Sequence, residues 1–241
     1  MDATNHPFSR TERLYGAEGL QTIGALRVLL FGVGGVGSWC AEALIRSGVG
    51  HLMMVDPDCV DVTNINRQLP ATTATVGRPK VEVLRERLLT INPDADIVAR
   101  QERYSVDTAA EFDIEAFDCV VDAIDNLADK MDLILRCTRK AVGEGSAHQA
   151  PRFYSSMGAA RKVDPMQLRV SEFWQVDGCP LAASLRKRMR RAQRYPERKF
   201  KCVWSPEVIR SATTGATSVT VTAVAGMTLA SLLLRDTLPL K

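Results

Sequence analysis

Cysteine pairs are the first thing missing from this sequence. Its six cysteines, Cys40, Cys59, Cys119, Cys137, Cys179 and Cys202, are scattered, and none belongs to a C-x-x-C motif. Neither a zinc ribbon nor a thioredoxin-type dithiol is supported, so no zinc is expected. Cys40 and Cys119 fall in apolar stretches, where a thiol serves as a small buried hydrophobe. Reduced thiols of this kind fit a cytoplasmic protein. Histidine is scarce as well: only His6, His51 and His148 occur, and none has a partner in sequence for a proton relay. Residues 1–13 are polar and carry no apolar secretory core. A single long charge-free run, 215–234, reaches membrane-span length, but Thr217, Ser218, Thr220, Thr222, Thr228 and Ser231 dilute it. It reads as a buried core or subunit-interface helix, with no membrane involved.

A strong overall charge is also absent, the formal net charge being +3. Locally the balance differs: nine basic residues face one acid, Glu197, between Arg186 and Lys201. Arg186, Lys187, Arg188, Arg190 and Arg191 form either a solvated helix face or an electrostatic footprint for an anionic partner such as RNA.

What is present is a repeating strand–helix rhythm. The 241 residues, 46% hydrophobic, suffice for one large domain or two small ones. The run VLLF at 28–31 is the kind of short apolar strand buried on both faces of a parallel sheet. A helix follows at 38–47, closed by Gly48, then a strand at 52–55. Pro79 suits the first turn of another helix, in which Val81, Leu84, Leu88 and Ile91 recur at helical spacing. Strands at 97–99, 119–121 and 153–156 and a helix at 126–140 complete a doubly wound, mostly parallel α/β sheet of Rossmann-like type. After Asp164-Pro165 the rhythm breaks into a basic helix (181–191), a strand (202–204) and the terminal apolar helix. The expected division is a core with an N-terminal arm at 1–165 and a C-terminal lobe packed on it at 166–241.

Between the first strand and its helix stand Gly32, Gly34, Gly35 and Gly37, a G-x-G-G-x-G loop. Such glycines permit a tight turn, backbone approach to phosphate and close helix–strand packing, and the helix N-terminus supplies free N–H donors. Asp56, 19 residues past Gly37, stands where an acid accepts hydrogen bonds from a ribose. The loop alone says adenine nucleotide and leaves NAD and ATP open. The next segment carries Asp58, Asn64, Arg67 and Gln68, and Lys80 opens the following helix. Hydride transfer has no use for an Arg and a Lys placed there. Nucleotidyl transfer does: attack on the α-phosphate builds charge on phosphorus and on departing pyrophosphate, which fixed cations and Mg²⁺ stabilise. Asp125, at the carboxyl end of the fourth strand, is placed to hold Mg²⁺ or to cap the helix at 126.

Taken in order, G-x-G-G-x-G, D-x-D, N-x-N-R-Q, G-x-x-K and D-A-x-D resemble the ubiquitin-activating-enzyme (E1-like) superfamily of adenylating enzymes over about residues 8–158. The resemblance implies that Asp56 holds the ribose, that Asn64, Arg67 and Lys80 contact the triphosphate and that Asp125 holds the metal; Asp58 and Gln68, in the same motifs, are further nucleotide-binding candidates. It also implies a homodimer whose N-terminal arginine reaches the partner's ATP; Arg10 fits that segment, with Arg13 as fallback. The branch activating ubiquitin-like sulfur carriers has two C-x-x-C pairs and often a working cysteine. This chain lacks the pairs, and Cys179, in a Gly-Cys-Pro loop, reads as structural.

A second branch, the tRNA threonylcarbamoyladenosine dehydratases, is resembled by FSRTERLYG at 8–16, SSMGAARK at 155–162, VWSPE at 203–207 and GATSVTVTAVAGMTLA at 215–230. That resemblance implies ATP-dependent cyclisation of a modified tRNA base through a carboxyl-adenylate, with the basic segment gripping tRNA phosphates. Residues 143–152 depart from the branch pattern, and 207–215 is shorter than in some members.

Overall fold

The computed structural model describes residues 6–140, 150–209, 211, 213 and 215–238. The apolar run VLLF lies in β1 (Arg27–Phe31). Val28 and Leu30 point into one core and Leu29 and Phe31 into the other, all fully buried, which is why the strand reads as continuous rather than alternating. Parallel pairing joins β1 to β2 (His51–Val55) and β4 (Cys119–Asp122), β2 to β3 (Asp96–Arg100), β4 to β5 (Arg152–Ser156), and β5 to β7 (Lys201–Trp204). The sheet has seven strands in the order β3-β2-β1-β4-β5-β7-β6, and only β6 (Arg169–Glu172) runs antiparallel.

Six α-helices occur among the described residues: α1 (Ser9–Ala25), α2 (Gly37–Arg46), α3 (Lys80–Leu89), α4 (Leu127–Cys137), α5 (Pro180–Ala192) and α6 (Val219–Thr237). Buried side chains of α2, α3 and α6, such as Leu44, Leu84 and Leu233, share one core. Those of α4 and α5, such as Ile134 and Leu185, share the other with an aromatic group around Phe31, Tyr104 and Phe112. The N-terminal arm is helical, broken at Gly16, whose φ is +76°.

By length and composition α6 could cross a membrane, yet half of its apolar window is buried within the fold, against α2. Contact is closest at Gly226, where a Cβ would stand 2.3 Å from the Val36 carbonyl oxygen.

Among the described residues after 165, β7 continues the sheet beside β5 and α6 covers α2. Without them the β5 edge and much of both cores would face water. A boundary at 165/166 therefore cuts one continuous sheet.

Candidate active site

Four strand ends meet where the chain leaves β1 for one side of the sheet and β4 for the other, the position at which open α/β sheets bind ligands. A cavity of about 690 Å³ opens there.

The glycine loop forms its floor. Gly32 has φ +86°, and a Cβ on it would lie 2.7 Å from the Ala123 carbonyl oxygen. A Cβ on Gly37 would lie 1.8 Å from the Gly32 carbonyl oxygen. The protein's own backbone demands these two glycines. Gly34 differs: a Cβ there would meet nothing nearer than the Gln68 amide nitrogen at 3.8 Å. The protein leaves room at Gly34, on the open side of the loop, where backbone N–H groups at the start of α2 are placed to receive an anion. Gly35 touches α6, its would-be Cβ 3.3 Å from Thr222.

At the end of β2, buried Asp56 fixes the loop. Its Oδ2 accepts from Val33 N at 2.8 Å and its Oδ1 from Asp58 N at 2.9 Å. Burial pushes its carboxyl up from the ordinary range, opposed by those two hydrogen bonds and by Lys80. Each oxygen keeps a lone pair for a ribose hydroxyl.

Lys80 opens α3 with its side chain only 7% exposed, and its Nζ lies 2.8 Å from Asp58 Oδ2. A buried ammonium held by one exposed carboxylate can exchange that partner for phosphate oxygens. Asn64 completes a capping box: its Oδ1 accepts from Asp61 N at 3.2 Å, which leaves the amide NH₂ as its donor group. Arg67 is aimed by its own loop, Nη1 donating to Thr63 O and Asn66 Oδ1, both at 2.9 Å. Gln68 is buried and lines the cavity, and its Oε1 has no hydrogen-bond partner among the described residues.

At the end of β4 stands exposed Asp125. It does not cap α4; Asn126 does, its side chain accepting from Ala128 N and Asp129 N. Asp125 makes no side-chain hydrogen bond among the described residues, so its carboxylate is available in the cavity. Mg²⁺ needs only one or two carboxylates when phosphates supply the remaining oxygens, which suits a lone Asp. No cluster of three His, Cys, Asp or Glu occurs among the described residues.

The ThiF family description matches residues 8–235. The chain belongs to the ThiF family. It is 40% identical over 186 residues to the tRNA threonylcarbamoyladenosine dehydratase of Bacillus subtilis (strain 168), covering 77% of this chain and 70% of that one. Its identity to the Escherichia coli (strain K12) protein of the same name is 36% over 189 residues, covering 78% and 67%. The crystal structure of the E. coli tRNA N6-threonylcarbamoyladenosine dehydratase in complex with ATP superposes with a TM-score of 0.87 at 33% identity, over 99% of this chain and 96% of that one.

This ThiF-family chain gathers every cavity residue named from sequence except Gly37, which packs beneath the loop, and Arg10, which is exposed on α1 away from its own cavity. Lys187, Arg188, Arg190 and Arg191 are exposed on α5. Arg186 is half-buried: its Nη1 donates to Phe173 O at 3.3 Å and to Val176 O at 2.7 Å, with the guanidinium over the Phe173 ring. Residues 141–149, most of the departing stretch 143–152, lie outside the described residues.

Sequence reasoning missed the support beneath Asp125 in this ThiF-family fold. Lys130 and Asp122 form a fully buried ion pair at 2.8 Å. Lys130 Nζ also donates to Ile124 O at 2.9 Å, while Asp122 accepts from Ser155 Oγ at 2.7 Å and Ile124 N at 3.1 Å. The turn carrying Asp125 is thus held at both its N–H and its carbonyl. Lys130 four residues before Ile134 and seven before Cys137, on the buried face of α4, was the available signal. Thr222 of α6 and Thr217 just before that helix, which also line the cavity, carried none.

Proposed function

We propose that this chain is an ATP-dependent tRNA threonylcarbamoyladenosine dehydratase. It activates the substrate carboxylate as an acyl-adenylate, and internal attack then expels AMP and leaves a cyclised, dehydrated base. The observation that carries the reading is the convergence of Arg67, Lys80, Asn64 and Asp125 around a glycine loop that is left uncrowded at Gly34.

The residues divide the work by charge. Asp56 receives the ribose, and the α2 N-terminus and Asn64 take phosphate oxygens. Lys80 and Arg67 meet the charge that grows as the α-phosphate becomes pentavalent and pyrophosphate departs. Mg²⁺, held by Asp125, would neutralise phosphate charge when bound. The nucleophile belongs to the substrate, so no side chain here needs to become one. We extend the proposal to a cytoplasmic homodimer in which Arg10 crosses to the partner's nucleotide, and to Lys187, Arg188, Arg190 and Arg191 as contacts to tRNA phosphates.

Purified protein incubated with ATP and threonylcarbamoylated tRNA should release AMP as the modified nucleoside loses one water mass. AMP release that requires a small protein ending in Gly-Gly instead would move the chain to the sulfur-carrier branch. Lys80→Ala and Asp125→Ala should each abolish ATP–pyrophosphate exchange at unchanged melting temperature; normal exchange in either removes the role given to that residue.

A further inference from the structure

The basic helix ends beside two aromatic rings that the chemistry above does not use. Trp174 and Tyr195 are 40% and 44% exposed, with ring centroids 6.2 Å apart and planes tilted by 47°. An exposed Trp–Tyr pair costs hydration free energy on an otherwise charged surface, and among the described residues the two rings stay partly open to solvent.

The pair is built rather than incidental. Trp174 rides on the 3-10 turn Phe173–Gln175, which Arg186 clamps to α5 through the Phe173 and Val176 carbonyls. Beneath it Phe173 stacks on Phe200, centroids 5.1 Å apart. At the other side Gln193 adopts a left-handed conformation, φ +52°, and Arg194 N returns to Met189 O at 3.1 Å, turning the chain so that Tyr195 meets Trp174. The exposed cations Lys187, Arg190 and Arg191 recur at helical spacing on the outer face of α5, and exposed Arg194 follows. Interleaved arginines and open aromatic faces are what unpaired nucleotides require, because phosphates need cations and splayed bases need a flat ring. A second copy of this chain docking the same face about a two-fold axis would set these cations against each other.

Position fits the substrate. Leu181, at the start of α5, lines the cavity. From Leu181 to Ala192 the helix rise amounts to about 17 Å, a few nucleotides of single strand.

We propose that the C-terminal end of α5 is a stacking platform for unpaired bases of the substrate RNA, Trp174 and Tyr195 taking bases while Arg190, Arg191 and Arg194 take the phosphates between them. This rests on the tRNA reading above. The modified nucleotide in the cavity and the stacked bases on the platform would be two points of one single-stranded loop, with α5 as the spacer.

The test compares two RNAs, an anticodon stem-loop and the same stem closed as a blunt duplex, binding the full chain at several salt concentrations, with ATP affinity as the control for folding. W174A/Y195A should weaken stem-loop binding about tenfold or more, as expected for losing a base–aromatic stack. Its duplex binding, salt slope and ATP affinity should stay unchanged, and W174F should recover most of the loss. K187A/R190A/R191A should instead weaken both RNAs and flatten the salt slope. Stem-loop binding by W174A/Y195A equal to wild type, while wild type binds and turns over tRNA, overturns the platform and spares the function. The same holds if the double variant dissociates the oligomer without changing RNA affinity, which would make the rings a subunit contact. A wild-type chain that binds no stem-loop overturns both.

Discussion

Lys130 carries its charge to a place that water does not reach. Among the described residues its ion-pair partner is Asp122, and the pair holds both polar groups of Ile124 and thereby the turn that presents Asp125. Lys130→Met would strand a buried carboxylate, at a cost of about 3–5 kcal/mol seen in chemical denaturation, whereas Lys130→Arg keeps the charge and should lose less. The thiols offer a second check. Burial pushes Cys40 up to about 12 and Cys119 to about 11, while an unfolded thiol ionises near about 8.5. Above that pH the folded chain binds more protons than the unfolded one, so stability should fall as pH rises from 8 to 10, read as the denaturation midpoint. Lys130 and Arg186 also mark what sequence cannot disclose at this scale. Both are long stems with a charged tip, and only packing decides whether the tip turns out to solvent or inward to a carbonyl. The glycine loop, Asp56 and Lys80 were legible because their roles depend on backbone geometry and on position after a strand.

At the scale of elements, continuous apolar runs announced β1, β2 and β4 because parallel strands are covered on both faces. β6, with the sequence RVSE and an exposed or half-buried surface, gave no such run; an antiparallel edge strand needs none. The break of α1 at Gly16 was equally silent. α6 was read as a core or subunit-interface helix, but its share in the nucleotide cavity was not foreseen, since that depends on Gly226 letting it approach within contact of the Val36 carbonyl. Gly226→Ala should drive α6 away from the glycine loop. We expect a loss of about 1–3 kcal/mol together with weaker ATP binding, measured by thermal melting and calorimetry. Lower stability with unchanged ATP affinity would mean that α6 supports the fold without shaping the cavity.

For the molecule as a whole, one sheet runs from β3 to β6 across the division that composition suggested. The change of rhythm after Asp164 was real, but a change in composition does not reveal which edge a later strand will join. Limited proteolysis should therefore yield no stable fragment ending near residue 165, and a chain cut there should aggregate through the uncovered β5 edge. The cavity depends on the same continuity, because its glycine loop begins at Gly32 and its far wall includes Thr217 and Thr222. Translation makes the first of these long before the last. A growing chain on the ribosome thus carries the glycine loop before the α6 wall of its cavity has been made.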